Sequence, residues 1–431
     1  MSQLRLTSVT ALEVLDSRGR PTLAVTVTSG DGQQGRAGVP SGASTGSGEA
    51  VELRDGDPAR FGGAGVATAV HNVNGEIADA LLGRGWDSLA EVDRVLRDLD
   101  GTATKCRLGA NAIVGTSMAV ARAFSNAAGV RLHRYLTPEG VTPRLPVPHF
   151  NVINGGAHAR NALDFQEFML APVGAPTVGE AVRAGAEIYQ ALRQRLTDGG
   201  HATGLGDEGG FAPEISTPRE VLALITAAIQ DAGYVADRSG VAIALDPAAS
   251  EFLEADGRYR VGGQQLSSGE LVELYAELVA DFPIWSIEDG VGEQDETGWL
   301  ALTGRLGDHI QLVGDDNLVT NPEIIAAAIG KGVGNAALIK VNQIGTVSET
   351  LEAMRLCREA GWGQMVSHRS GETEDTFIAD LAVGSGCGQL KSGAPARGER
   401  VAKYNRLLEI QASVPAMAYG LPNVAGTAPS G

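Results

Sequence analysis

The chain has 431 residues and a formal net charge of −18, with 52 acidic against 34 basic side chains. That balance excludes nucleic-acid binding through the general surface, while 43% hydrophobic residues suffice for a sizeable core. Three scattered cysteines, Cys106, Cys357 and Cys387, support neither a disulfide scaffold nor a zinc ribbon and point to a reducing compartment.

The N-terminus, "MSQLRLTSVTALEVLDSRG", has no long apolar core and no cleavage-site pattern, so no signal peptide is expected. No apolar run approaches the roughly 18 residues of a membrane span. The expectation is a cytoplasmic protein without a membrane or nucleic-acid partner.

Residues 3 to 28 hold two short runs rich in β-formers around the turn "DSRGRP", which predicts strand, turn, strand. A glycine- and serine-rich loop follows, "VPSGASTGSGEA". Helical patterns dominate from about 64 to 130, as in "GANAIVGTSMAVARAFSNAAG". Residues 1–135 therefore read as a small α+β domain. The proline-rich "PRLPVPHF" reads as a linker leading into a strand. From 143 to 431 short apolar strands alternate with helices: "VAIALD", "SGELVELYAELVADF", "IWSIED", "ETGWLALTGRLG", "IQLVGDD", "NPEIIAAAIGKG", "AALIK", "TVSETLEAMRLCREAG", "GQMVSH". Strand-end residues 288, 315, 340 and 368 are 27, 25 and 28 residues apart, near the roughly 31 per unit of a barrel of eight βα units. The predicted class is α/β with a TIM-like barrel. A doubly wound open sheet is the alternative, but "GKGVG" precedes a strand instead of following one.

Six apolar runs close on titratable residues: Asp246, Glu288 with Asp289, Asp315 with Asp316, Lys340, His368 and Lys391. Alone, Lys340 reads as a strand-end lysine snorkelling into solvent. In series, the six mark the C-terminal mouth of a barrel, where βα-barrel active sites collect. Three carboxylates, Asp246, Glu288 and Asp315, would repel one another in a pocket, and oxygen-only ligation points to magnesium or manganese. Which acid of each adjacent pair takes the metal stays open. Lys340 and Lys391 would face each other and the metal, a setting that lowers a lysine pKa toward that of a general base. Arg369 and Ser370 in "SHRSGETED" suit a phosphate. Upstream lie His158, Gln166 and Glu167 in "NGGAHARNALDFQEFM", and Asp207 and Glu208 in "GLGDEGGFAP". A raised pKa would make Glu208 a general acid. The loop "PSGASTG" reads as a lid or as a plain hairpin connection.

"LDSRGRPT", "VPSGASTG", "LGANAIVGTS", "INGGAHA", "QEFM", "GDEGGFAP", "SIED", "GDDNLVTNP", "LIKVNQIGT", "SHRSGETEDTFIADLAVG" and "GAPARGERVAKYN" occur in that order, and on them the chain resembles the enolase family over roughly residues 5 to 412. The resemblance implies a small α+β domain before a barrel whose first units are irregular. It implies interconversion of 2-phosphoglycerate and phosphoenolpyruvate with two Mg2+ ions, in a homodimer or octamer. It implies one metal on Asp246, Glu288 and Asp315, and a second held by substrate phosphate and the mobile loop through Ser44. Lys340 is then the base at carbon 2. Glu208 is the acid at the carbon-3 hydroxyl, with Glu167 beside it. His158 closes on the substrate, and His368 and Gln166 belong to the same site. Arg369 and Ser370 contact the phosphate and Lys391 the carboxylate.

Some positions depart from the family pattern: Pro247, Asn317, Gly398, Trp285 and Arg160, with a C-terminal tail lacking the usual acidic run. They keep a second expectation beside the first, an enolase-like paralogue of phosphonate natural-product pathways such as carboxyphosphonoenolpyruvate synthase. Retention of Lys340, Glu208 and the three metal acids argues against an inactive binding protein.

Overall fold

The computed structural model describes residues 3–43, 45–159 and 161–422. Ser44, Arg160 and the end of the C-terminal tail lie outside the described residues.

The N-terminal part is a four-stranded sheet of order β3-β2-β1-β4, from β1 (Leu4–Leu15), β2 (Pro21–Ser29), β3 (Gln34–Gly38) and β4 (Gly85–Trp86). β1 and β2 pair antiparallel around the predicted turn, where Gly19 takes a φ of 71° and the Asp16 carboxylate accepts the Arg18 and Arg20 amides at 2.8 Å. The predicted helix forms over Ala110–Ala127, and its small residues have a packing reason. A Cβ on Gly115 would sit 2.7 Å from the side chains of Val25 and Val39, and one on Gly35 would sit 2.1 Å from the Ala119 carbonyl. Only side chains of this size let helix and sheet approach so closely.

The second part is a closed eight-stranded barrel of order β10-β11-β12-β13-β14-β5-β6-β7. Its strands are β5 (Val147–Asn154), β6 (Glu167–Ala171), β7 (Ala242–Asp246), β10 (Ile284–Glu288), β11 (Gln311–Gly314), β12 (Ala336–Ile339), β13 (Gly363–Ser367) and β14 (Gln389–Lys391). A two-stranded hairpin, β8 (Tyr259–Val261) and β9 (Gln264–Leu266), branches off after β7. The closed barrel excludes the open-sheet alternative. β6 runs antiparallel to both neighbours, β5 and β7, while the other neighbouring pairs are parallel. The first unit is thus irregular, as the family resemblance implied.

The barrel strands are almost wholly buried, which is why they read as continuous apolar runs without alternation. The outer helices carry their own start signals. Thr177, Thr217, Ser267, Asp295, Asn321 and Thr346 each accept a backbone N–H of the first helical turn, and Pro218 and Pro322 open their helices. The two parts interlock where the Val347–Glu359 helix begins. Ser117 Oγ accepts the Val347 amide at 3.0 Å and Asp93 Oδ2 the Ser348 amide at 2.9 Å. Among the described residues, no helix is long and apolar enough to cross a membrane.

Candidate active site at the barrel mouth

The strand-end reading places its residues well. Asp246, Glu288 and Lys391 are the last residues of β7, β10 and β14, and Asp315, Lys340 and His368 directly follow β11, β12 and β13. One pocket at this end is lined by Asp246, Asp315, Lys340, His368, Arg369, Ser370 and Lys391. His158, Gln166, Glu167 and Glu208 line it from the other side. Glu167 arrives by a different route. Because β6 is antiparallel, its first residue and not its last reaches the mouth, level with Asp246 and Asn154.

Lys391 is the hub. Its buried ammonium lies 2.8 Å from Asp246 Oδ2, 2.9 Å from Glu288 Oε1 and 3.1 Å from Glu167 Oε1. β14 and β10 stand on opposite sides of the barrel, so the Glu288 contact spans the mouth. Lys340 donates instead to Asp315 Oδ2. Gln343 Nε2 reaches Asp315 Oδ1 at 2.8 Å, and Asp289 accepts the Asp315 and Asp316 amides at 2.9 and 3.0 Å.

The electrostatics differ from expectation at two points. Both lysines were expected to be lowered by each other. Burial, the largest single influence, lowers Lys340, but the carboxylates of Asp315 and Glu288 together leave the ammonium above its ordinary range. Burial likewise opposes Lys391, yet Asp246, Glu167 and Glu288 raise it well above. Each lysine touches carboxylates directly, and contact outweighs the more distant cation.

The second difference concerns the acid pair. A raised pKa was the condition for Glu208 as a general acid, but the rise falls on Glu167. Burial, Glu208 and Asp246 push Glu167 well up against the pull of Lys391. Burial also pushes Glu208 up, but His368, His158 and Arg400 hold it well below the usual carboxylate range. Asn151 Nδ2 donates to Glu208 Oε2 at 3.1 Å. The two directions diverge, so the neutral form is favoured at Glu167 and the ionised form at Glu208. His158 Nδ1 lies 3.8 Å from both carboxylates.

Acidic groups that could hold a metal ion are present. Among the described residues, ligand atoms lie within 4.8 Å of one another in two groups, His158 with Glu167 and Glu208, and Asp289 with Asp315 and Asp316. The expected trio of Asp246, Glu288 and Asp315 is not such a group. Lys391 takes the first two and Lys340 the third. The donor chemistry nevertheless fits a hard divalent ion. Asp246 and Glu288 already converge on one positive centre, the donors are buried oxygens, and mutual repulsion shows in Glu288, raised well up by burial, Asp246 and Asp315. Asp316 is pushed up to about 7 by burial and Asp315.

The glycine- and serine-rich loop docks over this mouth. Ser41 exchanges backbone hydrogen bonds of 2.7 and 2.9 Å with Gly371, and the Ala43 amide donates to Ser370 Oγ at 3.2 Å. Glu49 takes the Arg369 guanidinium at 2.9 and 3.0 Å. Sequence reasoning missed Glu49, Asn151 and Arg400. Glu49 and Arg369 are 320 positions apart, and no local pattern links them.

A family model described as "Enolase, N-terminal domain" matches residues 6–136, and one described as "Enolase, C-terminal TIM barrel domain" matches residues 142–421. The chain belongs to the enolase family. It is 54% identical over 411 residues to a relative named "Enolase" from Rubrobacter xylanophilus, covering 95% of each chain. It is also 54% identical over 413 residues to "Enolase 1" from Methylococcus capsulatus, covering 95% of this chain and 97% of that one. These relatives do not favour the phosphonate-pathway alternative. Two of the departures from the enolase pattern sit quietly. A Cβ on Gly398 would meet nothing within 4 Å, and Ala248 N still donates to Asp246 Oδ1 at 2.9 Å behind Pro247. Asn317 keeps a buried Oδ1 without a hydrogen-bond partner, for which the structure offers no reason.

Proposed function

We propose that the chain is a magnesium-dependent enolase, a hydro-lyase interconverting 2-phosphoglycerate and phosphoenolpyruvate. The observation that carries this reading is the placement of Lys340 and Glu167 on opposite sides of one barrel, four strands apart, facing a shared pocket. A base on one side and a proton-holding acid pair on the other suit removal of a proton and of a hydroxyl from adjacent carbons.

The carbon-2 proton is weakly acidic, because the neighbouring carboxylate is already anionic, and its removal builds an enediolate dianion. Lys340 takes that proton. It reaches its base form by giving up Asp315, and Arg369 already opposes its charge. Lys391 contacts the substrate carboxylate and stabilises the developing charge. The Glu167–Glu208 pair delivers the proton that leaves with the carbon-3 hydroxyl as water, with Glu208 as the donor and Glu167 as its reserve. His158, His368 and Gln166 close this side and keep water out. Arg369 and Ser370 bind the phosphate.

Asp246, Glu288 and Asp315 would hold one Mg2+, and Ser44 with the substrate phosphate a second. When bound, these ions supply positive charge to the enediolate oxygens. Residues 1–135 form the capping domain and 143–431 the catalytic barrel of a cytoplasmic homodimer or octamer.

The test is ultraviolet absorbance of the enol double bond with purified protein, magnesium and 2-phosphoglycerate. Brisk turnover that a chelator stops is expected. A folded, magnesium-binding protein without turnover would overturn the reading.

A further inference from the structure

We propose that Arg400 is a positioning residue that fixes the tautomer of His368, so that the ring's single proton sits on Nε2 and faces Glu208. Arg400 Nη1 lies 2.6 Å from His368 Nδ1. A guanidinium only donates, so Nδ1 must be the acceptor. A proton on Nδ1 would set two N–H groups against each other at that distance. The proton of the neutral ring therefore belongs to Nε2, which lies 3.2 Å from Glu208 Oε2, off the line of a hydrogen bond.

The rest of the guanidinium is anchored as a fixed reference would need to be. Nη1 also donates to the Arg369 carbonyl at 2.6 Å. Nη2 donates to the Ser370 carbonyl at 2.5 Å and the Asp207 carbonyl at 3.3 Å. Arg400 thus ties the loop that carries Arg369 and Ser370 to the loop that carries Glu208, with His368 between them. It is fully buried and lies in the first turn of the helix Gly398–Ser413, where a cation opposes the helix dipole. A residue chosen only to stabilise that helix would not be a cation.

The charged groups facing the ring are Arg400, Glu208 and Glu372. Burial and Arg400 together push His368 down to about 4 against the pull of Glu208, in keeping with a ring that stays neutral. The consequence is that Glu208 faces an N–H at 3.2 Å and not a lone pair, which favours its ionised form. The part this plays in turnover rests on the functional reading above, whereas the tautomer does not.

The experiment is long-range proton–nitrogen NMR of the full-length protein labelled with nitrogen-15 histidine, with His368 assigned by comparison with His368→Gln. In the wild type, Nδ1 is expected at an unprotonated shift and Nε2 at a protonated one, without titration over roughly pH 5 to 8. A protonated Nδ1, alone or with Nε2, overturns the proposal whether or not the protein turns over 2-phosphoglycerate. Arg400→Gln keeps a weaker, neutral donor. It is expected to let His368 titrate within that range and to lower kcat by at least about tenfold, with little change in KM. Arg400→Lys, which restores a cationic donor, is expected to recover the wild-type His368 spectrum. An unchanged His368 spectrum in Arg400→Gln contradicts the positioning role.

Discussion

Lys340 and Asp315 form a partly buried ion pair between neighbouring strand ends of the barrel, β12 and β11. The pair holds Lys340 charged and shields Asp315, so each group is kept out of its working state by the other. Lys340→Ala is expected to lower turnover by roughly 10²- to 10⁴-fold while magnesium binding persists, since Asp315 is then free of its ammonium partner. Calorimetric titration with magnesium beside steady-state assays checks both halves. Near-normal rates would contradict the role given to Lys340.

The protonation of the Glu167–Glu208 pair is accessible to infrared spectroscopy. Glu167 is raised by burial and by Glu208, while Glu208 is held down. A protonated-carboxyl band at neutral pH is expected to disappear in Glu167→Gln and to weaken without disappearing in Glu208→Gln, where burial and Asp246 still raise Glu167. The reverse pattern would move the proton to Glu208.

The glycine- and serine-rich loop is held over the mouth by Glu49 on Arg369 and by the Ser41–Gly371 bridge. Glu49→Gln removes the charge from a two-pronged contact, which favours loop opening. Limited proteolysis within residues 39–50 is expected to quicken roughly tenfold. An unchanged cleavage rate would show that the bridge alone holds the loop.

Asp93 gives stability an unusual pH dependence. It is buried at the junction of sheet domain and barrel, and burial pushes it up to about 6, with Ser348 and Ser117 opposing through hydrogen bonds. The folded protein therefore binds this proton more tightly than the unfolded chain, whose aspartate titrates near 3.9. The contribution favours folding at low pH and is lost as pH rises from about 4 through about 6. Asp93→Asn, which keeps an acceptor for the Ser348 amide, is expected to gain stability above that window by up to roughly 3 kcal/mol, and little below it. Denaturation midpoints on both sides of the window check the sign.

Most of the site was legible because a parallel barrel delivers residues by a simple rule, one per strand end. Asp246, Glu288, Asp315, Lys340, His368 and Lys391 all obeyed it. Glu167 broke it, because the antiparallel β6 turns its first residue to the mouth; it was singled out as part of "NGGAHARNALDFQEFM" and not by the strand-end rule. Charge states were less legible than positions. Sequence spacing places Lys340 near Lys391 but does not show that each touches a carboxylate first. Arg400 was invisible for a further reason: it comes from the last helix and acts on His368 through the fold, 32 positions away.

The account's central claim is that Lys340 removes the carbon-2 proton, independently of the acid pair across the barrel. Exchange of that proton of 2-phosphoglycerate in deuterium oxide, followed by proton NMR, tests it most directly. The wild type and Glu208→Gln are expected to exchange it, and Lys340→Ala is not. Exchange that survives in Lys340→Ala, or that vanishes with Glu208→Gln alone, would contradict the claim.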